Sequence, residues 1–227
     1  MNALPAITAA STVFRLYAPD PLPEDAPLLL AFADAAEAGA LAALLAGETL
    51  VLAVPEVADW EHTFSPWPAP RVFKKAPGFG GGAPAFFDKL AAALPQIEGS
   101  LKLCPRWRGA AGYSLGGLFA AWCAYRDGNP FARIAAVSAS LWFDGWTDFA
   151  AAQAMPQPPQ YADFSLGDAE KNSRNPRMAA VESATLATVE NWRTRGIATG
   201  FGFNPGGHFD HAPERTATAV RCLLAAA

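Results

Sequence analysis

Ala110-Ala111-Gly112-Tyr113-Ser114-Leu115-Gly116-Gly117 reads G-x-S-x-G with a third glycine behind it. The apolar run that leads into it is long enough for a strand, and Leu115 to Arg126 is apolar and long enough for a helix. Strand, tight turn and helix in direct succession are the context of a nucleophile elbow. Such a turn brings neighbouring backbone segments almost into contact, and Gly112 and Gly116 supply the missing side chains that permit it. Ser114 is then expected at the tip, in a strained backbone conformation, its hydroxyl pointing out of the fold. The first amides of the following helix face the same way and favour a developing negative charge. A five-residue pattern also arises by chance, as a glycine-rich turn with an incidental serine. What surrounds it decides between the two.

Outward from the elbow, strands and helices alternate. Leu28–Phe32 and Thr49–Val54 are wholly apolar runs, as strands buried on both faces are, and the Ala/Leu-rich stretch Ala35–Ala46 between them reads as a helix. Strand, helix, strand of this kind implies a parallel βαβ unit with helices on both faces of the sheet. Thr12–Tyr17 alternates instead, with Phe14 and Leu16 on one face, and predicts a half-buried antiparallel strand. Residues 1–11 carry no strong signal. Residues 55–82 break the rhythm, holding Trp60, His62, Phe64, Trp67 and Phe79 among prolines and glycines. A segment of that length without elements of its own is functional or mobile. Further strands are expected at Trp107–Gly112, Arg133–Ser138, Tyr161–Leu166 and Ile197–Phe203. Further helices are expected at Pro84–Ile97, Asn175–Arg193 and Ala212–Ala226. Gly145–Gln160 is a short insertion, much smaller than a lid domain. The prediction is an α/β fold over residues 1–227 as a single domain: a mostly parallel central sheet, helices on both faces, a minimal lid.

Composition agrees with a large core. The chain has 227 residues, 52% hydrophobic and 17% charged, with a net charge of -4. Nothing favours a nucleic acid or an anionic membrane as partner; the most basic local spot, Arg71 with Lys74 and Lys75, is too small. The three cysteines, Cys104, Cys123 and Cys222, form no C-x-x-C pair and suggest neither a zinc site nor a disulfide framework. Cys123 and Cys222 lie in apolar helical stretches and read as small core residues. No signal peptide and no run of membrane-spanning length is visible. The expectation is a soluble, cytoplasmic protein; homo-oligomer formation is left open.

In an open parallel sheet, ligands sit beyond the C-terminal ends of the strands. Asp34, Ser114, Asp168 with Glu170, and His208 all follow predicted strands. A serine hydroxyl is barely ionised at neutral pH and needs a base; histidine is the side chain suited to that work. His208, after Gly206-Gly207, is the best candidate. His62 lies in the irregular loop ahead of the elbow, and His211 begins a helix. A mid-chain serine and a late histidine fit the order Ser, acid, His of the α/β-hydrolases. Glu170, three residues past Gly167, is the preferred acid, with Asp168 in reserve; Asp210, or a backbone carbonyl, is an alternative. The oxyanion hole is expected from the amide of Leu115 and from the loop Ala33–Ala35, at Asp34. Trp67, Phe79, Tyr113 and Trp142 are the candidate pocket walls, for a flat or apolar acyl or alcohol group. The metal reading of His208-x-Asp210-His211 is discounted, since spacing suggests no third ligand.

On these residues the chain resembles the α/β-superfamily esterases that include the trilactone-siderophore esterases (ferric enterobactin and salmochelin hydrolases) and, more distantly, esterase D. The matching pieces are Gly112–Gly117, Ser138-Ala139-Ser140-Leu141-Trp142-Phe143, Gly167-Asp168-Ala169-Glu170 and Gly206-Gly207-His208-Phe209. The resemblance runs from about residue 28 onward. It implies a serine esterase without a metal or organic cofactor, acting on a small-molecule ester, with Ser114 and His208 carried over directly and the acid open, because a Ser-His dyad occurs in the group. The loop Ala33-Asp34-Ala35 departs from the family's Asp-Gly pattern, and the short N-terminus predicts abbreviated first strands. Two other readings share the sequence: a catalytically idle hydrolase-fold binding protein, and a thioesterase or peptidase using the same site.

Overall fold

The computed structural model describes residues 1–72, 74 and 76–226; Lys75 of the small basic cluster lies outside the described residues. In chain order the elements are β1 (Asn2–Ala9), β2 (Thr12–Ala18), β3 (Leu28–Phe32), α1 (Ala35–Leu44), β4 (Val51–Pro55), α2 (Trp60–Thr63), β5 (Pro68–Ala69), β6 (Phe79–Gly80) and α3 (Ala83–Leu101). There follow β7 (Arg108–Tyr113), α4 (Ser114–Cys123), β8 (Arg133–Val137), α5 (Trp146–Ala152), β9 (Tyr161–Gly167), α6 (Pro176–Ala179), α7 (Val181–Thr194), β10 (Ala198–Asn204) and α8 (Ala212–Ala225).

Eight strands form one sheet in the order β1-β2-β4-β3-β7-β8-β9-β10. β2 is antiparallel to both its neighbours, and every pairing from β4 to β10 is parallel. This is the α/β-hydrolase fold. The side-chain period of two puts successive residues of the central strands on opposite faces. Leu28, Leu30 and Phe32 enter one apolar core, whereas Leu29 and Ala31 enter the other. The first core holds the aromatic faces of α3, α4 and α7, with Phe86, Phe119 and Trp192 among them. The second lies under α1 and α8 and is built of smaller residues such as Ala38, Leu41, Val220 and Leu223. Burial on both faces is why these strands show no alternation in sequence.

Three features depart from expectation. The first strands are not abbreviated: β1 has 8 residues and β2 has 7. β1 left no signal because it is an edge strand with a register shift between Leu4 and Ile7, and of its residues only Ala9 is buried. Residues 55–82 are not structureless. They hold α2 and the two-stranded ribbon β5–β6, anchored by the fully buried Phe64, while the His62 ring lies against the backbone of Gly80 and Gly82. The helix expected at 175–193 is two helices, divided at Ala180. The insertion at 145–160 contributes only the seven-residue α5. No helix among the described residues is long and apolar enough to cross a membrane.

The run of parallel strands has one functional consequence. The C-terminal ends of β3, β7, β8, β9 and β10 lie along one edge, so the segments that follow them are neighbours.

Candidate active site

β7 passes into α4 with no residue between, and Ser114 at the junction has φ +53°. A non-glycine residue in that region is strained by roughly 1–3 kcal/mol and persists only where its surroundings enforce it. Here they do. A Cβ on Gly112 would fall on the Gly116 carbonyl group and within 2.8 Å of the Gly117 amide nitrogen. One on Gly116 would lie 2.9 Å from both Cβ and the carbonyl oxygen of Phe32. The elbow is thus clamped between its own helix and the neighbouring strand β3.

The Ser114 hydroxyl lies 2.9 Å from Nε2 of His208, and Nδ1 of the same ring lies 2.7 Å from Oε2 of Glu170. Of the three carboxylates considered, Glu170 is the one that reaches the imidazole. Asp168 accepts from the Gly206 amide at 2.9 Å and Asp210 from the Gly207 amide at 2.7 Å, so both hold the loop that carries His208. Glu170 sits in a three-residue 3-10 turn (Glu170–Asn172), with its side chain 3% exposed. Its other oxygen accepts from the Gly167 amide at 2.8 Å and faces Arg215 Nη1 at 3.4 Å. Burial pushes this carboxyl up. Hydrogen bonds from His208, Ser138 and the Gly167 amide, with the His208 charge, more than offset that and hold it below the ordinary carboxylate value.

Arg215 on α8 gave no sign in the sequence, where it is one basic residue in an amphipathic helix. Its guanidinium is buried with Glu170. One arm donates to Tyr113 Oη at 3.2 Å and the other to the Pro205 carbonyl at 2.7 Å. Tyr113 in turn donates to the His208 carbonyl at 2.7 Å. Tyr113 is therefore tied into this scaffold, and burial raises its phenol pKa.

The other pocket candidates divide. A cleft of about 230 Å³ opens beside His208 and Glu170, walled by Trp142, Met178, Val181 and Phe209, with Asn172 and Ser173 as polar points. Trp142 lines it. Phe79 packs on Trp142 and Phe143, and Trp67 packs on Phe143 and Phe149, so these two back the wall. Trp67 also donates its indole N–H to the Asp144 carbonyl at 2.8 Å. Phe209, 86% exposed, is the most open large apolar side chain described; it was legible only as a residue of the Gly206–Phe209 match. Arg177 lies over the Trp142 ring and is neutralised by Asp144 at 2.9 Å.

Of the two oxyanion candidates, Leu115 lies in the first turn of α4, where amides lack helical partners. Asp34 is the N-cap of α1: its side chain accepts from the Ala36 and Glu37 amides, each at 2.8 Å, and its own amide donates to Glu37 Oε2 at 3.1 Å. This capping box explains the Ala-Asp-Ala sequence, since aspartate is a strong N-cap. His211 has φ +57° at the start of α8 and makes no capping bond with its side chain. No group of three or more His, Cys, Asp or Glu among the described residues is placed to hold a metal ion.

Comparison with known proteins agrees with the architecture. An IroE-like serine hydrolase from Shewanella oneidensis superimposes with a TM-score of 0.81 at 17% identity, over 98% of this chain and 80% of that one. The siderophore hydrolase EstA from Aspergillus nidulans gives 0.73 at 15% identity, over 95% and 91%. An enterochelin esterase from Shigella flexneri gives 0.69 at 15% identity, over 99% of this chain and 59% of the other. No curated protein matches in sequence. The family model Esterase, described as "Putative esterase", matches residues 31–211, a span that includes the elbow, the Glu170 turn and the His208 loop. The chain belongs to the Esterase family and is an ester-hydrolysing enzyme.

Proposed function

We propose that the chain, acting as one domain, hydrolyses a carboxylic ester through an acyl-enzyme on Ser114, with His208 as general base and Glu170 as the acid that orients it. The observation that carries this reading is the unbroken relay Ser114 Oγ, His208 Nε2, His208 Nδ1, Glu170 Oε2 at 2.9 and 2.7 Å. With Glu170 ionised, its Oε2 accepts the Nδ1 proton, which fixes the tautomer and leaves Nε2 free to accept from the serine. In the first half-reaction Ser114 Oγ bonds to the acyl carbon and its proton passes to Nε2. The alcohol then departs with that proton as the tetrahedral intermediate collapses. In the second half, water gives a proton to Nε2 and attacks the acyl carbon, and Ser114 leaves as it recovers that proton. The developing oxyanion is met by the Leu115 amide and by the loop after β3. Asp34 serves as the second donor there only when its amide leaves Glu37.

Among the described residues the substrate side carries no arginine or lysine in its lining, and it has largely apolar walls, formed by Trp142, Phe209, Met178 and Val181. That supports a small uncharged ester with a flat or apolar group, rather than a polyanionic one such as a ferric siderophore. The test is Ser114→Ala beside the wild type on p-nitrophenyl esters of increasing aromatic size. A loss of at least about a thousandfold in kcat is expected. Equal rates would remove Ser114 from the mechanism, and faster turnover of acetate than of aryl esters would overturn the substrate assignment. Faster turnover of matched thioesters or amides would reassign the enzyme to that chemistry.

A further inference from the structure

The Ser114 hydroxyl has a second neighbour that the relay does not use. Ser140, in the turn after β8, places its Oγ 3.3 Å from Ser114 Oγ. It is held there by its backbone, since the Ser140 amide donates to the Ser114 carbonyl at 2.9 Å. The residue is 2% exposed, and among the described residues its hydroxyl has no partner other than Ser114. A buried hydroxyl with one partner, and that partner the attacking atom, calls for an account of where its proton points.

The protons settle the direction. With Glu170 ionised and the imidazole neutral, as a general base must be, Oε2 accepts from Nδ1, Nε2 is the bare nitrogen, and the single Ser114 proton points to it. Ser114 then has nothing left to offer Ser140. The Ser140 hydroxyl must be the donor and Ser114 Oγ the acceptor. We propose that Ser140 is a further catalytic residue, whose hydroxyl donates to Ser114 Oγ and stabilises the charge that gathers there as the serine attacks and again as it is expelled. This rests on the reading of Ser114 as nucleophile. Ser140 keeps its own proton throughout; the proton that moves is the one Ser114 exchanges with His208.

The resting distance fits the role. At 3.3 Å the contact is long for a hydroxyl pair, whose usual separation is about 2.7–2.8 Å. A contact that is weak against a neutral hydroxyl and strengthens against a charged one favours the transition state over the resting enzyme, which is the condition for raising kcat. Catalytic hydrogen bonds often tighten only when the reaction complex forms.

The test uses the full chain with Ser140→Ala, which deletes one oxygen, and Ser140→Cys, which nearly preserves shape but leaves a weak donor. Two rates are read from pH 5 to 9, well below each variant's melting temperature: fluorophosphonate labelling of Ser114, and kcat/KM on p-nitrophenyl acetate. Both rates should fall about tenfold to a hundredfold for the alanine variant, the worth of one hydrogen bond to a charged group. The fall should be similar at every pH, because the base is untouched. The cysteine variant should fall by a similar or smaller factor, but by more than about twofold. A variant less stable than wild type but within twofold of its labelling rate would make Ser140 a packing residue and overturn the proposal. If the alanine variant does not fold, a cysteine variant within twofold of wild type overturns it equally. Ser114→Ala runs alongside. An active Ser114→Ala enzyme would sink the nucleophile assignment itself, whereas an inactive one beside a fully active Ser140 variant sinks only the role of Ser140.

Discussion

Ser114 and His208 are hydrogen-bonded neighbours, yet the chain holds them by opposite means. Ser114 is held by backbone. The geometry of its corner follows from Gly112 lying against Gly116 and Gly117, Gly116 against Phe32, and Gly117 against Ala139, with no room for a Cβ. His208 is held by side chains. Asp168, Asp210, Tyr113 and Arg215 each tie a backbone group of residues 205–208, and Glu170 ties the ring. The serine side is a packing problem with one solution. The histidine side is a charged and hydrogen-bonded network around a partly buried loop. The two should therefore fail differently: the first all at once, the second bond by bond.

The largest effect should come from the first side. In Gly112→Ala the new methyl group meets the Gly116 carbonyl group, which belongs to the helix and cannot swing away as a flexible side chain can. Overpacking of a rigid site usually costs about 1–3 kcal/mol. With backbone on both sides and the strain at Ser114 added, at least the upper end is expected here. Thermal unfolding followed by circular dichroism should show the lowest midpoint of any single variant discussed, with esterase activity lost. A Gly112→Ala protein with a wild-type midpoint would mean that the corner is not held by backbone exclusion.

On the other side the key residue is Arg215. Arg215→Met leaves Glu170 buried without its arginine neighbour and frees Tyr113 and Pro205 together. Removing one partner of a buried pair is destabilising by about 3–5 kcal/mol; the 3.4 Å separation of this pair places it at the low end. The sharper readout is where the loss falls. Hydrogen exchange should quicken across residues 204–211 and stay at wild-type rates across 108–118. Equal quickening in both stretches would break the contrast, making the two halves one cooperative unit.

The same contrast explains what could be read in advance. A backbone-enforced corner needs glycines at fixed spacing and an apolar strand before it, and both are written in a single stretch, Gly112–Gly117. The buried strands β3, β4 and β8 were legible for a similar reason, because burial on two faces leaves a continuous apolar run. The edge strand β1 has one buried residue and left no pattern. The scaffold of His208 is assembled from residues of β7, the turn after β9, the loop after β10 and α8. No spacing rule joins Tyr113, Glu170 and Arg215, which meet only once the sheet order is known. Asp34 follows β3, where an oxyanion donor is expected, and the same position is the N-cap of α1, whose capping box engages its amide in the structure. Trp67, Phe79 and Tyr113 were grouped with Trp142 as aromatics in the right region. Which of them meets the cleft is decided by packing partners far off in sequence.

The smallest effect should come from acid, and it too should act on one side. Glu170 is held below the ordinary carboxylate value by bonds made only in the folded chain. Its folded pKa is thus lower than its unfolded one, about 4.3 for a free glutamate. The unfolded state binds the proton first, so the stabilisation is complete above that pH and is lost as pH falls through the folded value. The Ser114 corner has no titrating group of its own and should not respond. Glu170→Gln removes the charge at every pH. The midpoint difference between wild type and Glu170→Gln should be largest near about pH 7, hold down to the unfolded pKa, and shrink only as pH falls below it through the lowered folded value. Thermal melts in matched buffers across that range measure it directly. A difference that stays constant as acid takes the wild type through its whole unfolding transition would mean that Glu170 stabilises the loop by shape rather than by charge. The division between a sterically held serine and an electrostatically held histidine would then lose its basis.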